Sequence, residues 1–164
     1  MARGKADIAN TALRIFLQEM GAAYDEERRL TPYNGTKDFA VVREFFGERC
    51  CYCDTDLATG RTAQDHLVPM NKTSLGLHAW GNVVPACQDC NAKKQGREWH
   101  AYLVERADSS AAERYKRVTE FVHHYKYEPD PNDLRDTAEE LYTEVGDIAM
   151  TLIKAKIKRV REKL

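Results

Sequence analysis

Cys50-Cys51-Tyr52-Cys53 and Cys87-Gln88-Asp89-Cys90-Asn91 enclose the stretch whose reading decides the fold, Thr62-Ala63-Gln64-Asp65-His66-Leu67-Val68-Pro69. Two C-x-x-C pairs supply four thiolates. The two intervening residues let both sulfurs of a pair turn toward one ion at about 2.3 Å. Residues 54–86 make a longer spacer than a zinc ribbon has, so a small structure must fit between the pairs. Residues 62–68 predict a short strand stopped by Pro69, residues 70–81 a loop with Gly76 and Gly81, and residues 82–86 a second strand. Asn91 then opens a helix to about Ala107. Its apolar stripe is Ala92, Gly96, Trp99 and Leu103, while Lys93, Arg97 and His100 share a different face. Four sulfurs leave no position for water or substrate, so the metal is read as structural zinc. A redox pair and chance spacing are the other readings, but two pairs flanking one compact segment favour the metal. Cys51 makes only a C-x-C with Cys53, a poorer bite, and is read as a small buried or half-buried residue without a functional role.

Inside the clasp lie residues with chemistry. Asp65 and His66 are neighbours on the first strand, so their side chains point to opposite faces unless the strand bends or ends there. An aspartate is a hard oxygen ligand suited to magnesium. A histidine has the unperturbed pKa of a general base near neutrality. Asn91, at a helix start, is either a cap or a second oxygen ligand.

Taken together, Cys50-x-x-Cys53, Asp65-His66-x-x-Pro69, Gly81-Asn82 and Cys87-x-x-Cys90-Asn91-x-x-Lys94 resemble the zinc-knuckle form of the HNH endonuclease family, over about residues 48–104. The resemblance implies a ββα-metal (His-Me) finger, a hairpin and helix around one divalent cation, Mg²⁺ or Mn²⁺. It implies His66 as the base that activates water and Asp65 as the acidic metal ligand. Asn82 would hold the hairpin loop and orient the histidine, Asn91 would be the last metal ligand, and Lys94 would approach the phosphate. Gln95 stands where some members have a further histidine, so metal ligation would rest on two protein groups and waters. His78, in the loop, is read as an exposed histidine. Lys93, Lys94 and Arg97, joined by Lys72, are candidates for contact with the backbone of double-stranded DNA. The implied function is a metal-dependent DNA endonuclease, of restriction, defence, phage or mobile-element type. The competing readings are a zinc-knuckle module that binds nucleic acid or protein without cutting, and a C-x-x-C redox protein.

The flanks read as helical, which makes the expected class α+β, mostly α. Three parts are expected: an N-terminal helical segment (1–49), the nuclease core (50–107) and C-terminal helices (108–164). Ala9, Leu13, Phe16 and Met20, widened by Ile8 and Leu17, predict a first helix with a stop at Gly21. Thr36 is a candidate cap for a second helix carrying Phe39, Val42 and Phe46, ended by Gly47. Ser110-Ala111-Ala112-Glu113 is a capping-box pattern ahead of Tyr115, Val118, Val122 and Tyr125. After Pro129 and Pro131, Asn132 opens a last helix of about 32 residues, roughly 48 Å long. Leu134, Ala138, Leu141, Val145, Ile148 and Leu152 run along one side of it at a/d-like spacing. That seam fits either packing on the first helices or a two-fold homodimer. Acidic residues precede Lys154, Lys156, Lys158, Arg159, Arg161 and Lys163, the order that suits the helix dipole.

Composition sets the bounds. The chain has 164 residues with 43% hydrophobic and 31% charged residues, enough for a core and against wholesale disorder. Lys+Arg is 25 and Asp+Glu 26, for a net charge of −1, which disfavours indiscriminate nucleic-acid coating and leaves room for a local basic patch. No apolar run reaches a membrane span, and Asp7 follows the basic start with no apolar h-region, so a cytoplasmic protein without a membrane partner is expected. An odd cysteine count in such a chain argues against a disulfide framework.

Overall fold

A computed structural model of the chain describes residues 2–58, 60–106 and 108–162, with Ala2 and Arg3 described by their backbone alone. Ala107, where one helix was expected to end, and Lys163 of the basic tail lie outside the described residues. The order is α1 (Ala2–Glu27), α2 (Phe39–Phe45), β1 (Thr62–His66), β2 (Val83–Cys87), α3 (Gln88–Lys94), α4 (Trp99–Glu105), α5 (Ala111–His124) and α6 (Asn132–Arg161). The protein is α+β and mostly helical, with one two-stranded sheet among the described residues.

β1 and β2 pair antiparallel, Thr62 opposite Cys87 and His66 opposite Val83. Pro85 sits in β2 without an N–H to give, and its carbonyl instead accepts from Cys51 N at 2.9 Å. That bond ties the first cysteine knuckle to the sheet. Two apolar clusters flank the hairpin. Val42 and Phe46, Tyr52, Val83, Val84 and Phe121 belong to the one under the knuckle. Leu13 and Leu17 of α1, Leu75 and Leu77 of the long loop, and Leu134 and Ala138 of α6 belong to the other. The spacing of Ala9, Leu13 and Leu17 explains the α1 stripe, since residues four apart share a helix face and all three are buried.

Three expectations are corrected. First, α1 does not stop at Gly21 but runs to Glu27. Gly21 serves close approach instead, because a Cβ there would lie 2.3 Å from the His78 carbonyl oxygen. Second, the helix expected over 91–107 starts at Gln88, with Cys87 as its cap and Asn91 inside it, and is two helices. Gln95 takes a positive φ of 52° and ends α3, and α4 restarts at Trp99, whose N–H donates to Leu67 O at 3.2 Å. Ala92, placed on the apolar stripe, is exposed. Third, Ser110 precedes α5 without a side-chain capping bond, and α2 is preceded by Asp38 rather than capped at Thr36. Of the two readings of the α6 seam, its early positions follow packing within the chain: Leu134 and Ala138 are buried, α6 packs on α1, and Lys5 pairs with Asp147 at 2.7 Å. Gly146 sits in that contact, where a Cβ would meet the Lys5 side chain at 2.8 Å.

Asp25 organises the segment read only as polar. Its buried carboxylate accepts from Tyr33 N at 2.9 Å and Trp80 N at 3.2 Å and pairs with Arg28. Burial raises its pKa against the pull of these partners. Arg28 also donates to the carbonyls of Trp80 and Tyr125. The end of α1, the long loop and the end of α5 thus meet at one ion pair. No helix among the described residues is long and apolar enough to cross a membrane.

Candidate functional site

The Sγ atoms of Cys50, Cys53, Cys87 and Cys90 lie within 4.8 Å of one another. Tetrahedral zinc with bonds of about 2.3 Å sets its sulfurs about 3.8 Å apart. Cys53 Sγ and Cys87 Sγ are 3.7 Å apart, which fits. The knuckle turn delivers the first pair: Cys50 N donates to Thr55 O at 2.9 Å, and Asp54, at φ 60°, donates its N–H back to Cys50 O at 2.9 Å. The first turn of α3 delivers the second pair, with Cys90 N bonded to Cys87 Sγ at 3.4 Å. A hydrogen bond from the Cys90 thiol pulls Cys50 down to about 5 and pushes Cys90 up. Protons shared in this way are the ones a zinc ion releases when it binds. The cluster is closed and sulfur-only, compatible with a structural metal such as zinc. Cys51 stays out of it and is buried, as read from its spacing.

Within the clasp, strand alternation separates Asp65 from His66. Asp65 is 7% exposed and turns toward the knuckle. Its Oδ2 accepts from Tyr52 Oη at 2.6 Å and pairs with Lys94 Nζ at 3.1 Å. Lys94 is fully buried and also donates to His66 O at 2.7 Å. Lys94 is therefore corrected as a phosphate contact: its ammonium is consumed inside the protein, locking α3 to the end of β1. Oδ1 of Asp65 and the Asn91 amide take no side-chain hydrogen bond among the described residues.

Asn82 is buried and fully engaged. Its Nδ2 donates to Leu77 O at 2.7 Å and Val68 O at 3.1 Å, and its Oδ1 accepts from Val68 N at 2.8 Å. Its carbonyl accepts from Leu67 N at 2.9 Å. One side chain thus bridges both ends of the long loop, with both amide hydrogens and one lone pair of Oδ1 in use.

His66 faces the other way, half-buried, toward the loop and α1. Its Nε2 lies 3.0 Å from His78 Nδ1. His78 is corrected from an exposed loop residue to a half-buried one, its ring edge-on to Tyr33 at 5.1 Å. Burial first, then the His78 ring and the charges of Arg14 and Lys94, hold His66 down at about 3. Burial and Arg14 lower His78 as well. Both rings are neutral at physiological pH. Sequence reasoning missed this pair because it is set by the docking of α1 beside the loop, where His78 N approaches Leu17 O at 3.4 Å.

The remaining basic candidates are exposed and partnered. Lys93 pairs with Asp89 at 2.9 Å, Arg97 pairs with Glu105 and lies over the Tyr102 ring, and Lys72 lies 4.9 Å over the Tyr142 ring. Such surface pairs are worth at most about 1 kcal/mol each and yield readily to another anion.

No family model, no curated protein and no solved structure matches the chain.

The clasp and the buried pair make separate predictions. Elemental analysis is expected to find about one zinc per chain, retained in mild EDTA, with Cys53→Ser and Cys90→Ser losing both metal and central fold. Loss of zinc with the near-ultraviolet circular dichroism unchanged would contradict a structural role. Lys94→Met should cost about 3–5 kcal/mol in denaturant unfolding, because it strands the Asp65 carboxylate in the interior. A loss below about 1 kcal/mol would return Lys94 to the surface.

Proposed function

We propose that the protein is a metal-dependent DNA endonuclease of HNH type, built on a ββα-metal finger formed by β1, β2 and α3. The observation that carries this reading is the arrangement about the long loop. His66 ends β1 as a neutral imidazole, and Asn82 pins the loop that faces it. A zinc-knuckle binding module has no use for a neutral base held beside a pinned loop, which is why the enzyme is favoured over that alternative. The basic residues Lys93, Arg97 and Lys72 would position a duplex without reading it.

The proposed reaction is hydrolysis of a phosphodiester. A water oxygen bonds to phosphorus as the bond to the leaving oxygen breaks. The water's proton passes to His66, and the leaving oxygen takes one from solvent. Base assistance contributes about 10²–10⁴ in rate when the base's pKa lies near the working pH, and an anionic phosphate bound beside His66 would have to raise it from about 3 toward that range. A divalent cation would be held by the free Oδ1 of Asp65 and the Asn91 amide. Both are hard oxygen donors, which suits Mg²⁺ or Mn²⁺ and not zinc. The Asp65 carboxylate lies on the knuckle side of β1, opposite His66 and beside the Lys94 ammonium, so a bound cation would stabilise charge on the leaving oxygen only if the end of β1 turns toward the phosphate. Lys94 and Tyr52 hold the Asp65 carboxylate by its Oδ2, fixing which oxygen is free.

A second copy of the chain is the proposed partner of α6. From Thr151 on every described residue of the helix is exposed, and Ile148 and Leu152, 65% and 58% exposed, continue with Ile153, Ile157 and Val160. An antiparallel two-fold pairing centred near residue 154 sets Ile148 against Val160 of the second copy. It also sets the acidic Asp147 opposite the basic Arg161.

Plasmid DNA is expected to be nicked or cut only with added Mg²⁺ or Mn²⁺. His66→Ala should lose at least about 10²-fold of that rate while keeping its zinc, its fold and its DNA affinity. A variant with most of the wild-type turnover would remove His66 as the base. Light scattering at micromolar concentration should give twice the 18.8 kDa chain mass, falling to the monomer in Leu152→Glu/Ile157→Glu. A wild-type mass equal to one chain would exclude the dimer.

A further inference from the structure

The His66–His78 contact carries a consequence for the proposed chemistry. A neutral imidazole has one N–H and one lone pair, so the partner of one nitrogen decides what the other can do. The ring nitrogens that meet are His66 Nε2 and His78 Nδ1, 3.0 Å apart, with ring centroids at 5.2 Å. The second nitrogen of each ring makes no hydrogen bond among the described residues. If His66 donates from Nε2, its Nδ1 keeps the lone pair and is a base. If His78 donates from Nδ1, His66 carries its proton on Nδ1 and has no lone pair left to offer.

We propose that His78 is the positioning residue of His66, accepting the Nε2–H and thereby leaving the His66 Nδ1 lone pair free as the base that would activate water. This rests on the nuclease reading. His78 is built for such a part. Its N–H approaches Leu17 O at 3.4 Å, and its carbonyl lies against Gly21, where no Cβ fits. Leu77, just before it, is fixed by Tyr127 Oη on its N–H at 2.9 Å and by Asn82 on its carbonyl at 2.7 Å. Tyr33 packs edge-on to the ring. A loop side chain held by its own backbone, its preceding residue and an aromatic edge has one direction in which to point. The lone pair of His78 Nδ1 then selects the tautomer of His66, as partners of ligating and catalytic histidines do elsewhere.

The test uses the zinc-loaded full chain at pH 7.5. Long-range ¹H–¹⁵N correlation spectra of the imidazoles read the tautomer of each histidine without any reference to cleavage. His66 is expected as a single Nε2–H tautomer in the wild type. His78→Phe, which keeps a ring against Tyr33 but removes the acceptor, should give a mixture of tautomers and lower plasmid cleavage about 10–100-fold. His78→Asn, whose Oδ1 occupies the place of Nδ1, should restore both the tautomer and most of the rate. An Nδ1–H tautomer for His66 in the wild type overturns the proposal, and that spectrum needs no variant to fold. So does a His66 tautomer indifferent to His78→Phe in a variant that retains its zinc. A wild type that shows the expected tautomer but never cuts DNA with Mg²⁺ or Mn²⁺ overturns the nuclease reading, and with it the catalytic use of the pair.

Discussion

Where Cys50 and Cys53 meet Cys87 and Cys90, two distant parts of the chain become one. The hairpin between them is short, five residues a strand, and a lone two-stranded sheet is marginal in water. A metal in the four-sulfur site would supply what the hairpin lacks, because the free energy of metal binding is folding energy for the segment it closes. Everything else leans on this. The knuckle bonds to β2 through Cys51 and Pro85, α3 starts from the second cysteine pair, and the apolar cluster around Tyr52 and Phe121 fills in beneath.

The second constraint is electrostatic. Lys94 and Asp65 are both buried, and a pair of charges survives in the interior only when its other bonding positions are met. Here they are met on both sides: Tyr52 donates to the carboxylate, and His66 O receives the ammonium. The pair therefore fixes the end of β1 relative to α3. It also sets which oxygen of Asp65 remains available. Polar groups this deeply engaged specify geometry more than they add stability.

The cysteine pairs, the two strands and most of the flanking helices were legible because each obeys a local rule: ligand spacing, a short run between turn residues, a stripe at helical period. Residues of long reach were not legible. Gly21 reads as a helix stop from its own neighbourhood, yet it lies inside α1 because His78 needs the space above it. Lys94 sits among other basic residues and reads as surface, and only its distant partner Asp65 makes it a core residue. Gln95 breaks a helix that periodicity would continue, since a positive φ at a glutamine follows from tertiary packing and not from its own preference. His78 reads as a loop histidine because nothing in residues 70–81 announces that α1 lies against it. At the site, Asp65, His66, Asn82 and Asn91 could be picked out by position, while the bonds that give three of them distinct roles could not.

The packing of α1 has a bearing on the order in which the chain is made. α1 is synthesised first, but its partners are the loop around Leu77 and the far helix α6, to which Lys5 is tied through Asp147. Contacts this distant in sequence form late, after the local pieces have found their shapes. The cysteine clasp needs only residues up to 90. The support of His78 by α1, with α1 itself held by α6, needs residues beyond 132. A nascent chain on the ribosome can thus close its cysteine clasp while its histidine pair is still unassembled. Whatever chemistry that pair serves is absent until the last helix has emerged.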